Sequence, residues 1–320
     1  MDSPVRPLTG FQRRRPRETE TVELDGIMSF PVSPFDSRGE IALDTFRDHV
    51  RAQLAAGPGA LFVCCGTGEF FSLDPAEYGL LAVTATQLAG GSVPVFAGVG
   101  YGIRQARPYL QAARDAGIDG LLVMPPYLVQ APQEGLARYY ETIAAEAQLP
   151  VIVYQRDNVR LDPETVVRLA GIPGIIGLKD GRGDIELMTR IRSALRRSGQ
   201  ADFLLLNGTP TAEVLQPAYS TIDVPLYSSA VHCFVPEVAH GFYNALVTGD
   251  SALMGRYLDE FYRPFIELRS RGAGYAVSLV KAGIRATGLD VGSVRAPLVD
   301  PTPEHCEELD RIIEQGRSIG

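Results

Sequence analysis

Metal-ligating and redox-active side chains are scarce in this 320-residue chain: four cysteines and four histidines. Cys64 and Cys65 are adjacent inside an apolar run, where a mutual disulfide is geometrically awkward. Cys233 and Cys306 stand far from them in sequence, and no pair shows metal-ligand spacing. Buried, reduced thiols of a cytoplasmic protein are expected. His49, His232, His240 and His305 form no metal constellation, so no metal is predicted. No run of 18 apolar residues exists, which excludes a membrane-spanning helix. The first residues lack an apolar core, so no secretory signal is expected and a cytoplasmic location is predicted. A basic excess is also missing. Lys and Arg number 30 against 38 Asp and Glu, for a net charge of −8, which argues against a nucleic-acid surface. An anionic small molecule is still allowed, because a local pocket can invert the global sign. No nicotinamide or ATP-phosphate fingerprint appears in its required context, and no cofactor is predicted.

What is present is an ordinary globular composition, 45% apolar and 21% charged. Residues 1–22 are polar and basic, with Arg13, Arg14, Arg15 and Arg17, and predict a disordered tail. A phosphate-binding arm is the second reading of that segment. From residue 24 a rhythm sets in: a short apolar run, a break, then a longer amphipathic stretch. Eight such runs occur, at 26–32, 60–64, 93–99, 119–124, 150–154, 174–179, 202–207 and 222–228. Most are continuous rather than alternating, as strands buried on both faces are. Between them, helical spacing recurs, as in Leu43, Phe46, Val50 and Leu54. Asp74-Pro75 and Asp162-Pro163 read as an N-cap followed by proline at the first helical position. Gly117 and Gly171 stand where a left-handed glycine ends a helix. Eight strand–helix units predict a (β/α)8 TIM barrel over 23–248. The open doubly wound sheet would place a glycine-rich phosphate loop after its first strand, where Pro31, Pro34 and Phe35 stand instead. Three further helices, at 250–269, 274–287 and 302–316, predict a C-terminal helical appendage over 249–320.

A barrel of this kind carries its site at the C-terminal ends of its strands. Lys179 terminates the apolar run 174–178, and two readings stand. Aimed into the barrel mouth, it is desolvated and becomes a nucleophilic amine. Aimed elsewhere, it is a structural partner of Asp180 or another carboxylate. Tyr154 ends the preceding strand, either as a proton relay beside that amine or as an amphipathic side chain at the core's edge. Gly66-Thr67-Gly68 offers backbone N–H groups to an anion. Glu69 is a candidate base or, on the blander reading, a buried carboxylate tying down its loop.

Together these residues resemble the dihydrodipicolinate synthase / N-acetylneuraminate lyase superfamily over about 24–300. The resemblance implies the barrel, an associated helical region and a homotetramer built as a dimer of dimers. It implies a 2-keto acid held as a Schiff base on Lys179, within Gly177-Leu178-Lys179-Asp180, with Tyr154 as the catalytic partner. Gly66 and Thr67 match the loop that holds the keto acid's carboxylate, and Gly208 matches a glycine lining the pocket. The synthases' relay threonine is replaced by Gly66, their second relay tyrosine by Leu128 beside Tyr127, and their arginine by a position near Val159. Synthase activity is therefore not expected. The stretches 65–73, 154–158, 179–184 and 227–231 are similar to a branch that dehydrates and decarboxylates a six-carbon keto-deoxy sugar diacid. By that similarity, Asn158, Ser228 and Ser229 are candidates for the distal hydroxyls and second carboxylate. Arg156 is read either as neutralising that carboxylate or as an outward ion pair. A pyruvate-releasing aldolase, with the same lysine and tyrosine, is the first alternative. A barrel that binds a sugar acid without catalysis is the second.

Overall fold

The computed structural model describes residues 22–320. The basic segment expected to be a disordered tail lies outside the described residues, apart from Val22 at its end. Strands β1 (Ile27–Ser29), β2 (Ala60–Val63), β3 (Val95–Val99), β4 (Gly120–Val123), β5 (Val151–Gln155), β6 (Ile175–Asp180), β7 (Leu204–Asn207) and β8 (Leu226–Ser229) form a closed parallel barrel in sequence order. The circle closes where Met28 pairs with Ser228 and Ser29 with Ser229. Helices α1 (Leu43–Ala55), α2 (Pro75–Ala89), α3 (Ile103–Ala116), α4 (Gln133–Ala147), α5 (Pro163–Ala170), α6 (Ile185–Arg197), α7 (Gln216–Thr221) and α8 (Pro236–Thr248) alternate with the strands. The fold is the (β/α)8 barrel expected from the eight apolar runs.

Strand side chains point alternately inward and outward. Met28, Phe62, Phe96, Leu122, Ile152 and Leu206 fill the barrel's interior. Their neighbours Leu61, Val63, Ala97, Val153 and Leu205 pack outward against the helices. Burial on both faces is why the runs are continuous in sequence. Phe30, Phe62 and Phe96 stack in series, each pair with centroids 4.8 Å apart and planes 15° apart.

One irregularity decides the chemistry. Ile175 pairs with Val151, but Gly177, not Ile176, pairs with Ile152. This bulge inserts one residue into β6, and a one-residue slip exchanges the two faces of a strand. Beyond it Lys179 lies opposite Tyr154 and Asp180 opposite Gln155. Without the extra residue Lys179 would face the helices. Gly177 lets the strands close up, since a Cβ there would lie 2.8 Å from Leu204 Cβ.

The local signals for helix ends divide. Asp74 accepts hydrogen bonds from the amides of Ala76 and Glu77, and Glu77 reciprocates to the Asp74 amide. Asp162 sits at the corresponding position of α5 but makes no such cap; Arg160 Nη1 donates to its carboxylate at 3.3 Å instead. Gly117 is left-handed, with φ 72°. Gly171 is right-handed, with φ −81°, so that helix ends without the expected device.

Beyond α8, helices α9 (Ser251–Tyr257) and α10 (Arg263–Arg269) flank a π-helical turn, Leu258–Tyr262, and α11 (Tyr275–Ala286) and α12 (Pro303–Arg317) follow. They share a second core with the outer face of β8, built around Tyr227, Phe242, Phe261 and Leu279. No helix among the described residues is long and apolar enough to cross a membrane.

Candidate active site

The bulge in β6 turns Lys179 into the barrel, where it is 5% exposed. Its Nζ lies 4.2 Å from the centroid of the Phe30 ring and 4.5 Å from that of Tyr154. No carboxylate pairs with it among the described residues. Burial pushes the amine down to about 7, a shift that the Cys65 thiol opposes and the Arg156 charge reinforces. An amine of this kind is neutral for part of the time at neutral pH and so is nucleophilic.

The alternative partner, Asp180, faces the opposite way. Its carboxylate accepts from Gln155 Nε2 at 2.9 Å, the Arg182 amide at 3.0 Å, the Gly183 amide at 3.2 Å and the Tyr219 hydroxyl. Asp180 thus locks the end of β6 to β5 and α7, and leaves Lys179 without a counter-ion.

Tyr154 is buried at the same level, and its hydroxyl donates to the Gly208 carbonyl at 3.1 Å. Burial raises its pKa, so the phenol remains protonated. Gly208 makes room for the lysine: a Cβ there would sit 2.5 Å from Lys179 Cε and Cγ. Gly181 does the same for the phenol, since a Cβ would lie 2.8 Å from the Tyr154 hydroxyl.

The β2 loop begins at Cys65, whose side chain faces the barrel interior. Gly66 is exposed with open space where a side chain would be, and Thr67 is half-buried. Among the described residues the Gly66 and Thr67 amides reach no backbone acceptor in the loop. Glu69 has a different fate from these two. It is fully buried, 2.6 Å from Lys281 Nζ, and its second oxygen accepts from the Arg295 amide at 2.9 Å. The reading of Glu69 as a base gives way to that of a carboxylate tying the loop to α11.

Two further candidates stand apart from the lysine. Asn158 Nδ2 donates to the carbonyls of Pro126 and Val129, at 3.1 and 2.6 Å, so its amide clamps two loops together. Ser228 is half-buried on the inner face of β8, but Ser229 is fully buried on the outer face. The Ser229 hydroxyl accepts from the His232 amide at 3.1 Å and is not brought into the mouth. Phe30 and Cys65 do reach it, yet in sequence both read as ordinary core residues. A groove of about 880 Å³ between the β1–α1 loop and residues 290–296 includes neither Lys179 nor Tyr154.

Solved barrels match this architecture. A dihydrodipicolinate synthase from Oceanobacillus iheyensis superposes with a TM-score of 0.85 at 24% identity, covering 92% of this chain and 97% of that one. One from Bacillus anthracis gives 0.83 at 25% identity, covering 92% and 99%. The chain belongs to the dihydrodipicolinate synthetase family, whose model matches residues 23–316. Within it, a Streptomyces griseus protein named as a probable 5-dehydro-4-deoxyglucarate dehydratase is 55% identical over 299 residues, 93% of each chain. A protein of the same description from Pseudomonas syringae is 44% identical over 301 residues, covering 94% of this chain and 98% of its own.

Proposed function

We propose that this chain is a decarboxylating dehydratase that converts 5-dehydro-4-deoxy-D-glucarate to 2,5-dioxopentanoate, CO2 and water through a Schiff base on Lys179. The observation that carries the reading is the uncompensated, desolvated amine facing Tyr154 at the barrel mouth. The dehydratase relatives at 44 and 55% identity favour this substrate over those of the synthases.

Lys179 Nζ attacks the C5 carbonyl, and loss of water gives a protonated imine. The imine accepts the electrons of a C4–H bond, and the resulting enamine expels the C3 hydroxyl as water. The new C3–C4 double bond is conjugated to the imine. Cleavage of the C1–C2 bond releases CO2 and sends its electron pair through that system to the nitrogen. Protonation at carbon and hydrolysis return the amine and free 2,5-dioxopentanoate. Oxidation states balance without a redox partner, and no cofactor is required. Tyr154 donates the proton to the departing hydroxyl and orients the carbonyl. The Gly66 and Thr67 amides hold the keto-end carboxylate. Gly208 keeps the lysine's path clear, and Ser228 takes a distal hydroxyl. Asn158 acts by fixing its loop, and Ser229 by fixing the turn after β8.

The reading includes a cytoplasmic homotetramer, a dimer of dimers. Tyr127 and Leu128, exposed by 64 and 80%, sit with Val129 on the loop after β4 and favour burial against a second copy. The test is borohydride reduction in the presence of 5-dehydro-4-deoxyglucarate, with peptide mass and CO2 as readouts. An adduct on Lys179 with stoichiometric CO2 is expected. Pyruvate in place of CO2 would establish the aldolase. Absence of any adduct at Lys179 would remove the Schiff-base reading.

A further inference from the structure

We propose that Arg156 is the receptor for the far carboxylate of the substrate, and so the residue that makes the pocket select a diacid. The inference rests on the Schiff-base reading of Lys179 and adds to it the recognition of the substrate's other end.

The placement follows from the strand. Tyr154 faces inward and Gln155 outward, and Arg156 is the first residue past the end of β5, beyond the Lys179–Tyr154 pair. A Cβ on Gly181, the residue one rung beyond Lys179, would lie 3.1 Å from Arg156 Cβ, so the arginine rises directly over the lysine's strand. Its guanidinium carbon is 5.8 Å from the Tyr154 ring centroid. Two residues along a strand advance about 6.6 Å. Four zigzag carbon–carbon bonds of about 1.5 Å, from the imine carbon C5 to C1, span about 5 Å. A six-carbon chain fixed at Lys179 and extended toward the mouth therefore brings its far carboxylate to the level of Arg156.

The guanidinium is held for this task. Asp157 accepts from Nε at 2.6 Å, so one edge of the fork is occupied. Nη1 and Nη2 make no hydrogen bond to a carboxylate or carbonyl among the described residues, and the guanidinium lies beside the Tyr154 phenol, so an incoming carboxylate would meet the fork and that hydroxyl together. The supporting turn is held at two adjacent residues. Arg182 Nη1 donates to the Asp157 carbonyl at 2.8 Å, and Asn158 Nδ2 holds the β4 loop. Asp157 itself is left-handed, with φ 46°, a strained conformation that places its carboxylate beside its neighbour's guanidinium. The same positive charge adds to the lowering of the Lys179 amine that burial produces. Pairing with the substrate carboxylate offsets that charge once the imine, itself a cation, has formed. Decarboxylation then destroys the anchor: neutral CO2 departs, the product lacks the group that Arg156 held, and release is favoured.

The experiment compares borohydride trapping of two probes by the full-length protein. One is 5-dehydro-4-deoxyglucarate. The other is 2-keto-3-deoxygluconate, which carries a hydroxymethyl group in place of the far carboxylate. Wild type is expected to trap both on Lys179 and to saturate at far lower diacid concentration. In Arg156→Gln the half-saturating diacid concentration rises by about 30- to 100-fold, the value of a charge-assisted bidentate contact, while the monoacid changes by less than about threefold. Arg156→Lys, which keeps charge but not the fork, restores part of the preference. The acid limb of the trapping profile moves to higher pH in Arg156→Gln, which a purely structural role would not produce. A diacid preference retained in Arg156→Gln would overturn the inference while leaving Lys179 in place. No adduct on wild-type Lys179 with either probe would instead defeat the underlying reading, and this inference with it.

Discussion

The molecule buries two lysines against aromatic rings, and they have opposite characters. Lys179 Nζ lies 4.2 Å from the Phe30 centroid, and Lys281 Nζ lies 4.0 Å from that of Phe35. Burial lowers both amines. Lys281, however, stands 2.6 Å from Glu69 and donates to the Ser293 carbonyl at 2.9 Å, so its charge is compensated. Lys179 has neither contact among the described residues. Burial alone does not make a lysine reactive; what separates the two is the counter-ion. In the barrel mouth the acid next to it in sequence, Asp180, is turned away and accepts from four donors. Between the β2 loop and α11 the acid is turned inward and used as glue.

The comparison breaks most sharply at Lys179 itself. Lys179→Met should abolish trapping and reduce turnover by about 10⁴-fold or more, as loss of a covalent nucleophile does. Its stability should move the other way. The amine's pKa falls on folding from about 10.4 in the unfolded chain to about 7. A group with a depressed folded pKa lends its stability above the unfolded value and loses it as pH falls toward the folded one. The wild type is therefore penalised increasingly between about pH 10 and pH 7. Thermal melts of the two proteins should converge at high pH, with the variant the more stable near neutrality. A variant less stable than wild type at pH 7 would mean that Lys179 has a hidden counter-ion.

Lys281→Met is the mirror experiment. It leaves Glu69 buried and unpaired, a change that costs about 3–5 kcal/mol. Urea unfolding should show that loss. If the fold holds, trapping at Lys179 should persist, because Lys281 lies outside the barrel. Equal losses of trapping and stability in both lysine variants would erase the distinction.

Much of this contrast was legible in the sequence, and the unread part has a definite physical origin. The eight strands announced themselves because each is buried on two faces and bounded by turn residues. Asp74 announced its helix because cap, proline and Glu77 agree. Asp162 offered the same cap and proline, but its carboxylate turned to Arg160. Lys179 was readable as a strand-end lysine, yet its direction was not. That depends on the Ile176 bulge, a tertiary feature set by how closely Gly177 lets β6 approach β7. Ser228 and Ser229 carry the same ambiguity, and only the pleat separates the mouth-facing residue from the buried one. Glu69 could not be assigned because its partner, Lys281, lies more than 200 residues away in the chain. Phe30 gave no functional signal, since an aromatic residue in a buried strand needs no further reason to be there.

The smallest change tests how finely the difference between the lysines is set. Gly208 contributes no side chain, and its carbonyl accepts from Tyr154 while its Cα faces the aliphatic stem of Lys179. A methyl group would lie 2.5 Å from Cε and Cγ and 2.9 Å from Cδ, closer than carbon atoms approach. The lysine stem, the flexible partner in that clash, must then swing away from its position between Phe30 and Tyr154. Displacements near 1 Å of a reacting group cost on the order of 10²-fold. Gly208→Ala should therefore lower the rate of imine formation by about that factor. Its stability should change little, because the stem yields rather than the strand. Stopped-flow trapping at a fixed diacid concentration, beside a melt of the same sample, measures both. A large fall in stability with an unchanged trapping rate per folded molecule would show that the strand moved instead. It would also show that Lys179 keeps its reactivity through burial, independently of the space that Gly208 leaves for it.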